Sequence, residues 1–140
     1  MIVYADTSAL AKLVLQEPGS AEIQQVAMNA DALASAAIAY VELRAAIAAA
    51  IHQGRIAEAL RSVHVAELEQ LWARLSEIPV DHLLLRRAGE LAERMALRGY
   101  DAVHLAAMIE AGTPDAVGLA CWDVDLRRAA SELGYTLVPA

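Results

Sequence analysis

Four acidic side chains stand where a carboxylate could do chemistry as well as face water. Asp6 directly follows the apolar run Ile2-Val3-Tyr4-Ala5, and Asp123 follows the apolar stretch from Val117 to Trp122. In open parallel sheets, sites form beyond the carboxyl ends of the strands, and both acids fall there by sequence alone. Each also opens a helical pattern, so each is equally an N-cap type whose oxygen would satisfy a free amide; one carboxylate can do both. Glu42 has Ile38, Ala39, Ala45 and Ala46 as its helical neighbours, so its own helix offers it no cation. It is either a solvated residue on a mixed face or an acid held for use. Asp101 begins the segment Asp101-Ala102-Val103-His104-Leu105-Ala106, as an N-cap with Arg98 for an ion partner or as a fourth member of an acid set. His104, three residues on, either orients a carboxylate or packs neutral beside Leu105.

Together these acids specify a type of chemistry. Oxygen-only donors suit Mg²⁺ or Mn²⁺, whereas Zn²⁺ prefers imidazole and thiolate. His52, His64 and His82 show no ligand spacing with Cys121 and read as structural or solvated. Clustered carboxylates without cations repel and raise one another's pKa values. A divalent ion removes that cost, polarises a phosphoryl oxygen and acidifies a bound water, which suits in-line hydrolysis of a phosphodiester.

The elements that must position these acids follow from periodicity. Strand 2–5 leads through Asp6-Thr7-Ser8 into a first helix, which Pro18-Gly19-Ser20 breaks before a second at roughly 20–30. A strand at 32–35 precedes a long helix near 37–53, striped by Leu43, Ile47 and Ile51. Gly54 closes it, and a further helix at 55–77 completes a helical hairpin. Residues 78–80 form an edge strand or loop, since Pro79 has no N–H to pair. A helix marked by Leu84, Ala88, Leu91, Ala92 and Met95 stops near Gly99, another runs from Asp101 to Ala111-Gly112, then come a strand at 117–121, a helix from Asp123, and a closing strand at 135–138. Strands alternating with helices indicate an α/β domain on a mostly parallel sheet, spanning 1–140 as one unit.

The net charge of −7 opposes passive binding to nucleic acid. Four of the eighteen acids gathered around metal would account for most of that charge, so metal-assisted cleavage stays compatible with it. The chain has one lysine, Lys12, and ten arginines, the better partners of phosphate oxygens. Arg94 and Arg98 either meet phosphates near the site or complement a helix C-terminus. The apolar fraction of 58% hints at surface covered by a partner. No apolar run is long enough to span a membrane, no signal peptide is evident, and the lone Cys121 suits a reducing compartment; the expected location is cytoplasmic.

The motifs Ala5-Asp6-Thr7-Ser8-Ala9-Leu10, Tyr40-Val41-Glu42-Leu43-Arg44, Asp101-Ala102-Val103-His104-Leu105-Ala106 and Cys121-Trp122-Asp123-Val124-Asp125-Leu126 occur in one order along the whole chain. Together they resemble PIN-domain proteins, in particular the VapC-type toxins of bacterial toxin–antitoxin pairs. The resemblance implies a five-stranded, mostly parallel sheet flanked by helices. It also implies a Mg²⁺- or Mn²⁺-dependent endoribonuclease leaving a 5′-phosphate and a 3′-hydroxyl. Asp6, Glu42, Asp101 and Asp123 match the family's catalytic, metal-binding acids. Asp125 is an auxiliary metal ligand and Ser8 a polar contact to metal-bound water. RNA as substrate, a small antitoxin and a homodimer are the implied partners; on the apolar hairpin, Leu68, Leu71, Trp72 and Leu75 either form a docking groove or close the chain's own core. Cys121 departs from the pattern, standing where these toxins often carry Thr or Ser, and this weakens the expected support of Asp123.

Two rival readings are weaker. Phospho-acceptor and haloacid-dehalogenase domains need a differently placed lysine or a second Asp where Ser8 stands, and no glycine-rich nucleotide motif is present. A PIN-like module that binds RNA or protein without cutting would be signalled by a lost acid, and all four are in place.

Overall fold

The computed structural model describes residues 1–140. Five strands form one parallel sheet in the order β3-β2-β1-β4-β5: β1 (Ile2–Ala5), β2 (Ala32–Ala36), β3 (Ser76–Ile78), β4 (Val117–Ala120) and β5 (Thr136–Leu137). Seven helices surround it: α1 (Thr7–Val14), α2 (Ser20–Asn29), α3 (Ile38–His52), α4 (Arg61–Arg74), α5 (His82–Met95), α6 (Gly99–Ala111) and α7 (Val124–Glu132). From the central β1 the chain first builds outward through β2 and β3, then returns to the other side for β4 and β5. The crevice beyond the carboxyl ends of β1 and β4 is thus the switch point of the sheet.

Alternation along β1 divides the interior into two cores. Val3 and Ala5 face one side, where they join Leu10, Leu43, Ile47 and Leu68 from α1, α3 and α4. Tyr4 faces the other and packs with Leu84, Leu91, Leu105, Met108 and Leu126 from α5, α6 and α7. Period-two side-chain direction is the cause. Helix α6 lies deepest: Asp101 through Met108 are all buried, so two successive turns are covered on every side. That helix takes up much of the apolar excess that had hinted at a partner surface.

Four expectations need correction. The helix after Gly54 does not begin at 55: a 3₁₀ turn at Glu58–Leu60 precedes α4, which ends at Arg74. The third strand is Ser76–Ile78, before Pro79 rather than around it, because proline cannot donate to the ladder with β2. Helix α6 starts at Gly99, with Arg98 at its N-cap position, so Asp101 lies inside the first turn. Finally, Leu68, Leu71 and Leu75 are buried in the chain's own core, and Trp72 packs edge-on against Tyr40 and donates to Glu77 Oε1 at 3.0 Å. Leu68, Leu71, Trp72 and Leu75 thus close the molecule, although Leu71 and Leu75 also line, with Leu13, Met28 and Leu33, a groove of about 610 Å³ between α2 and α4.

The last correction can be tested. Leu68→Ala should lower unfolding free energy by about 2–5 kcal/mol, as core truncations do. Urea denaturation would measure this, and a loss under about 0.5 kcal/mol, the level of a surface change, would contradict the core assignment.

Candidate active site

Asp6 caps α1 from the end of β1. Its Oδ1 accepts from the Ala9 amide at 3.1 Å and the Ser8 hydroxyl at 2.6 Å, and its Oδ2 accepts from the Cys121 thiol at 3.1 Å. Ser8 Oγ in turn accepts from the Trp122 amide at 3.0 Å, stitching the end of β4 to the start of α1. Ser8 therefore serves Asp6 and the backbone. Cys121 also departs from expectation. Its sulfur accepts from the Asp123 amide at 3.1 Å and its hydrogen goes to Asp6, so the thiol braces the Asp6 carboxylate and the Asp123 backbone. Burial, and then the Asp6 charge beside it, push the Cys121 thiol far up, and it stays a neutral donor.

Asp123 caps α7, with Oδ1 accepting from the Leu126 amide at 2.9 Å. Its Oδ2 accepts from Arg98 Nη2 at 3.1 Å, while Arg98 Nε donates to Asp101 Oδ2 at 3.0 Å. One guanidinium thus bridges two carboxylates carried by different helices, and it also lies over the Tyr100 ring at 4.9 Å. Asp101 is buried at 4% exposure, and burial raises its carboxyl above the ordinary aspartate value; Arg98 works against that rise and Asp123 with it. Arg94, by contrast, is exposed in the last turn of α5, where a cation complements the helix C-terminus.

Glu42, half-buried on α3, completes the group. Its Oε1 accepts from Thr7 Oγ1 and from His104 Nε2, both at 2.8 Å. Behind it, His104 Nδ1 lies 2.8 Å from the Tyr4 hydroxyl, whose oxygen accepts from the Ala36 amide at 3.1 Å. That amide supplies one hydrogen, so the hydroxyl directs its own to Nδ1, and Nε2 bears the hydrogen that Glu42 accepts. His104 thus orients a carboxylate, but that of Glu42 from across the sheet edge and not that of its helix neighbour Asp101. Burial works against the charge on Glu42, yet the His104 and Thr7 hydrogen bonds outweigh it and hold its carboxyl below the ordinary glutamate value. Tyr4 and Thr7 escape a reading of the sequence, because neither their facing nor their partners 35 and 100 residues away are visible there.

The four expected acids thus converge on the switch point, joined by Cys121, Arg98, His104 and Thr7. Asp125 does not join them: it is exposed in the first turn of α7, with no hydrogen bond to the group. The donor chemistry fits a hard divalent ion, and Glu42 Oε2 and Asp101 Oδ1 accept no hydrogen bond from the protein. As the side chains stand, however, no three donors are gathered into one coordination shell. The fit is one of chemistry, with Arg98 lying between two of the acids.

Comparison with known proteins gives concordant matches. The PIN domain family model matches residues 3–131. Ribonuclease VapC45 of Mycobacterium tuberculosis is 37% identical over 139 residues, covering 99% of this chain and 96% of that protein. Among solved structures, Mycobacterium tuberculosis VapC20, described as a sarcin-ricin loop cleaving toxin, superposes with a TM-score of 0.69 at 17% identity, covering 91% of this chain and 94% of that one. VapBC2 from Rickettsia felis, bound to a DNA fragment from their promoter, matches with a TM-score of 0.63 at 17% identity, covering 98% and 97%.

The His104–Glu42 contact makes stability depend on pH in a defined sense. A carboxyl whose folded pKa is depressed contributes stability that is whole above its unfolded pKa and is lost as pH falls through the folded one. His104→Ala should cost about 1–3 kcal/mol at pH 7, leaving Tyr4 and Glu42 short of a partner. The gap to wild type should narrow toward pH 3 as Glu42 protonates. Urea titrations at both pH values would check this, and a gap that is constant or widens in acid would refute it.

Proposed function

The chain belongs to the PIN-domain family, and from that premise we propose that it is a metal-dependent endoribonuclease acting as the toxin of a toxin–antitoxin pair. The observation that carries this reading is the convergence of four carboxylates from separate elements on the β1–β4 switch point, each braced by neighbours, with Glu42 Oε2 and Asp101 Oδ1 left free. A 37%-identical ribonuclease spanning nearly the whole chain supports the same activity.

In this reading Asp6, Glu42, Asp101 and Asp123 hold Mg²⁺ or Mn²⁺. The bound ion supplies charge to a phosphoryl oxygen and acidifies an attacking water, giving a 5′-phosphate and a 3′-hydroxyl. The chain's own residues prepare the ligands. Ser8, Ala9 and Cys121 fix the Asp6 carboxylate, so its rotamer is set before any ion arrives. Tyr4, His104 and Thr7 fix Glu42 through Oε1 and leave Oε2 for other work. Asp101, buried and braced on one oxygen, presents the other. Orientation of this kind reduces the reorganisation needed at the moment of reaction.

A small antitoxin and a homodimer belong to the same reading. With Leu68, Leu71 and Leu75 buried, the apolar surface open to a partner on the α3–α4 hairpin is instead Val41, Leu60 and Val63, which are 46–60% exposed. No helix is long and apolar enough to cross a membrane.

Asp6→Asn and Asp101→Asn should each reduce cleavage of a fluorogenic RNA by more than the ~100-fold that loss of a mere supporting group costs. In chelator, Asp101→Asn should melt higher than wild type, because burial and Asp123 disfavour its charge. Added Mn²⁺ should raise the wild-type melting temperature and raise that of the variants much less. Undiminished cleavage in the variants, or equal Mn²⁺ stabilisation of all three proteins, would defeat the assignment. A folded wild type that binds RNA without cutting it would instead be a binding module.

A further inference from the structure

Arg98 is the one cation bound within the acid group by two of its members. Its Nε donates to Asp101 Oδ2 at 3.0 Å and its Nη2 to Asp123 Oδ2 at 3.1 Å, so the planar fork of a single guanidinium spans carboxylates from α6 and α7. The two partners differ sharply from Arg98 in exposure. The Asp101 side chain is 6% exposed and that of Asp123 26%, whereas the Arg98 side chain is 59% exposed. The carboxylates are held by the fold; the guanidinium reaches them from solvent at the entrance to α6. Beside it, the exposed Tyr100 ring offers a second resting place at 4.9 Å. The residue is built to bind the acids and also to leave them.

We propose that Arg98 sets the affinity of the acid group for divalent ions: it holds Asp101 and Asp123 together in the metal-free protein and must release them when an ion enters. This rests on the metal-binding reading of the four acids. The physical reason is competition for the same pair of carboxylates. Two carboxylates this close repel, and a guanidinium between them supplies the neutralising charge that a divalent ion would otherwise supply. A guanidinium and a divalent ion crowded onto one carboxylate pair repel each other, so binding of one disfavours the other by the same factor in each direction. Each of these two acids has an oxygen engaged by Arg98, so neither can turn both oxygens to an ion while that contact lasts. A purely structural role, as the residue at the N-cap position of α6, would give no such competition, because Arg98 makes no side-chain capping bond there.

The test is Mn²⁺ affinity, measured by isothermal titration calorimetry on chelator-treated protein. Arg98→Gln, which keeps length and polarity but removes the charge, should bind Mn²⁺ about fivefold or more tightly than wild type. Arg98→Lys, a point cation without the fork, should lie between them. In chelator, Arg98→Gln should melt below wild type, and saturating Mn²⁺ should close that gap. Arg94→Gln, exposed at the end of α5, should match wild type in Mn²⁺ affinity. Equal or weaker Mn²⁺ binding by Arg98→Gln overturns the proposal while leaving the metal site standing. Failure of wild type and variant alike to bind Mn²⁺ overturns the metal-site reading and this proposal with it.

Discussion

Carboxylates drawn to one end of a sheet and partly withdrawn from water repel one another and lose hydration, so each must be given donors by the protein around it. Much of the local architecture of this chain answers that requirement. Asp6 and Asp123 are satisfied in part by the amides of the helices they cap, which costs no extra side chain. Asp101 and Glu42 cap no helix and accept from no backbone amide. They are satisfied by Arg98 in one case, and by His104 and Thr7 in the other. The four acids therefore divide into two held by backbone and two held by side chains, and the second pair carries the oxygens left without a partner.

The support of Glu42 reaches through the sheet. Tyr4 has no exposure at all, lies on the face of β1 opposite to Val3 and Ala5, and meets His104 from the buried stretch of α6. Because Ala36 N–H occupies one side of the tyrosine oxygen, the hydroxyl proton has a single useful direction, and the order of donors runs from β2 through Tyr4 and His104 to Glu42. A buried polar chain of this kind is tolerated because every member is satisfied. It also explains why a histidine stands in the most deeply covered helix of the molecule. The packing that makes α6 rigid is what holds Asp101 and His104 in place.

Cys121 illustrates how a substitution in a recurrent pattern can be absorbed. A hydroxyl at that position would be a stronger donor, but the thiol still reaches Asp6 Oδ2 and still receives the Asp123 amide, both at 3.1 Å. Burial keeps it protonated, so it brings no fifth negative charge to a site that already has four acids. The sulfur is compatible with the acid group because its environment suppresses its ionisation.

Local patterns in the sequence determined the strand-helix alternation and the two capping aspartates after β1 and β4, and marked the four acids as candidates. These rest on short-range causes: β-type runs ending in capping residues, and an acid whose own helix offers it no counter-charge. What only the tertiary structure decided is who supports whom. His104 was visible as a neighbour of Asp101, yet it serves Glu42, 62 residues away, because α6 and α3 approach the same sheet edge from different sides. Arg98 was legible as an ion partner for Asp101 alone, and its second bond to Asp123 depends on where α7 begins in space. Leu68, Leu71 and Leu75 read equally well as a docking face or as core, since a helical stripe specifies that a face is apolar and not what covers it. Side-chain partners separated by tens of residues are set by how the layers pack, and periodicity carries no record of that.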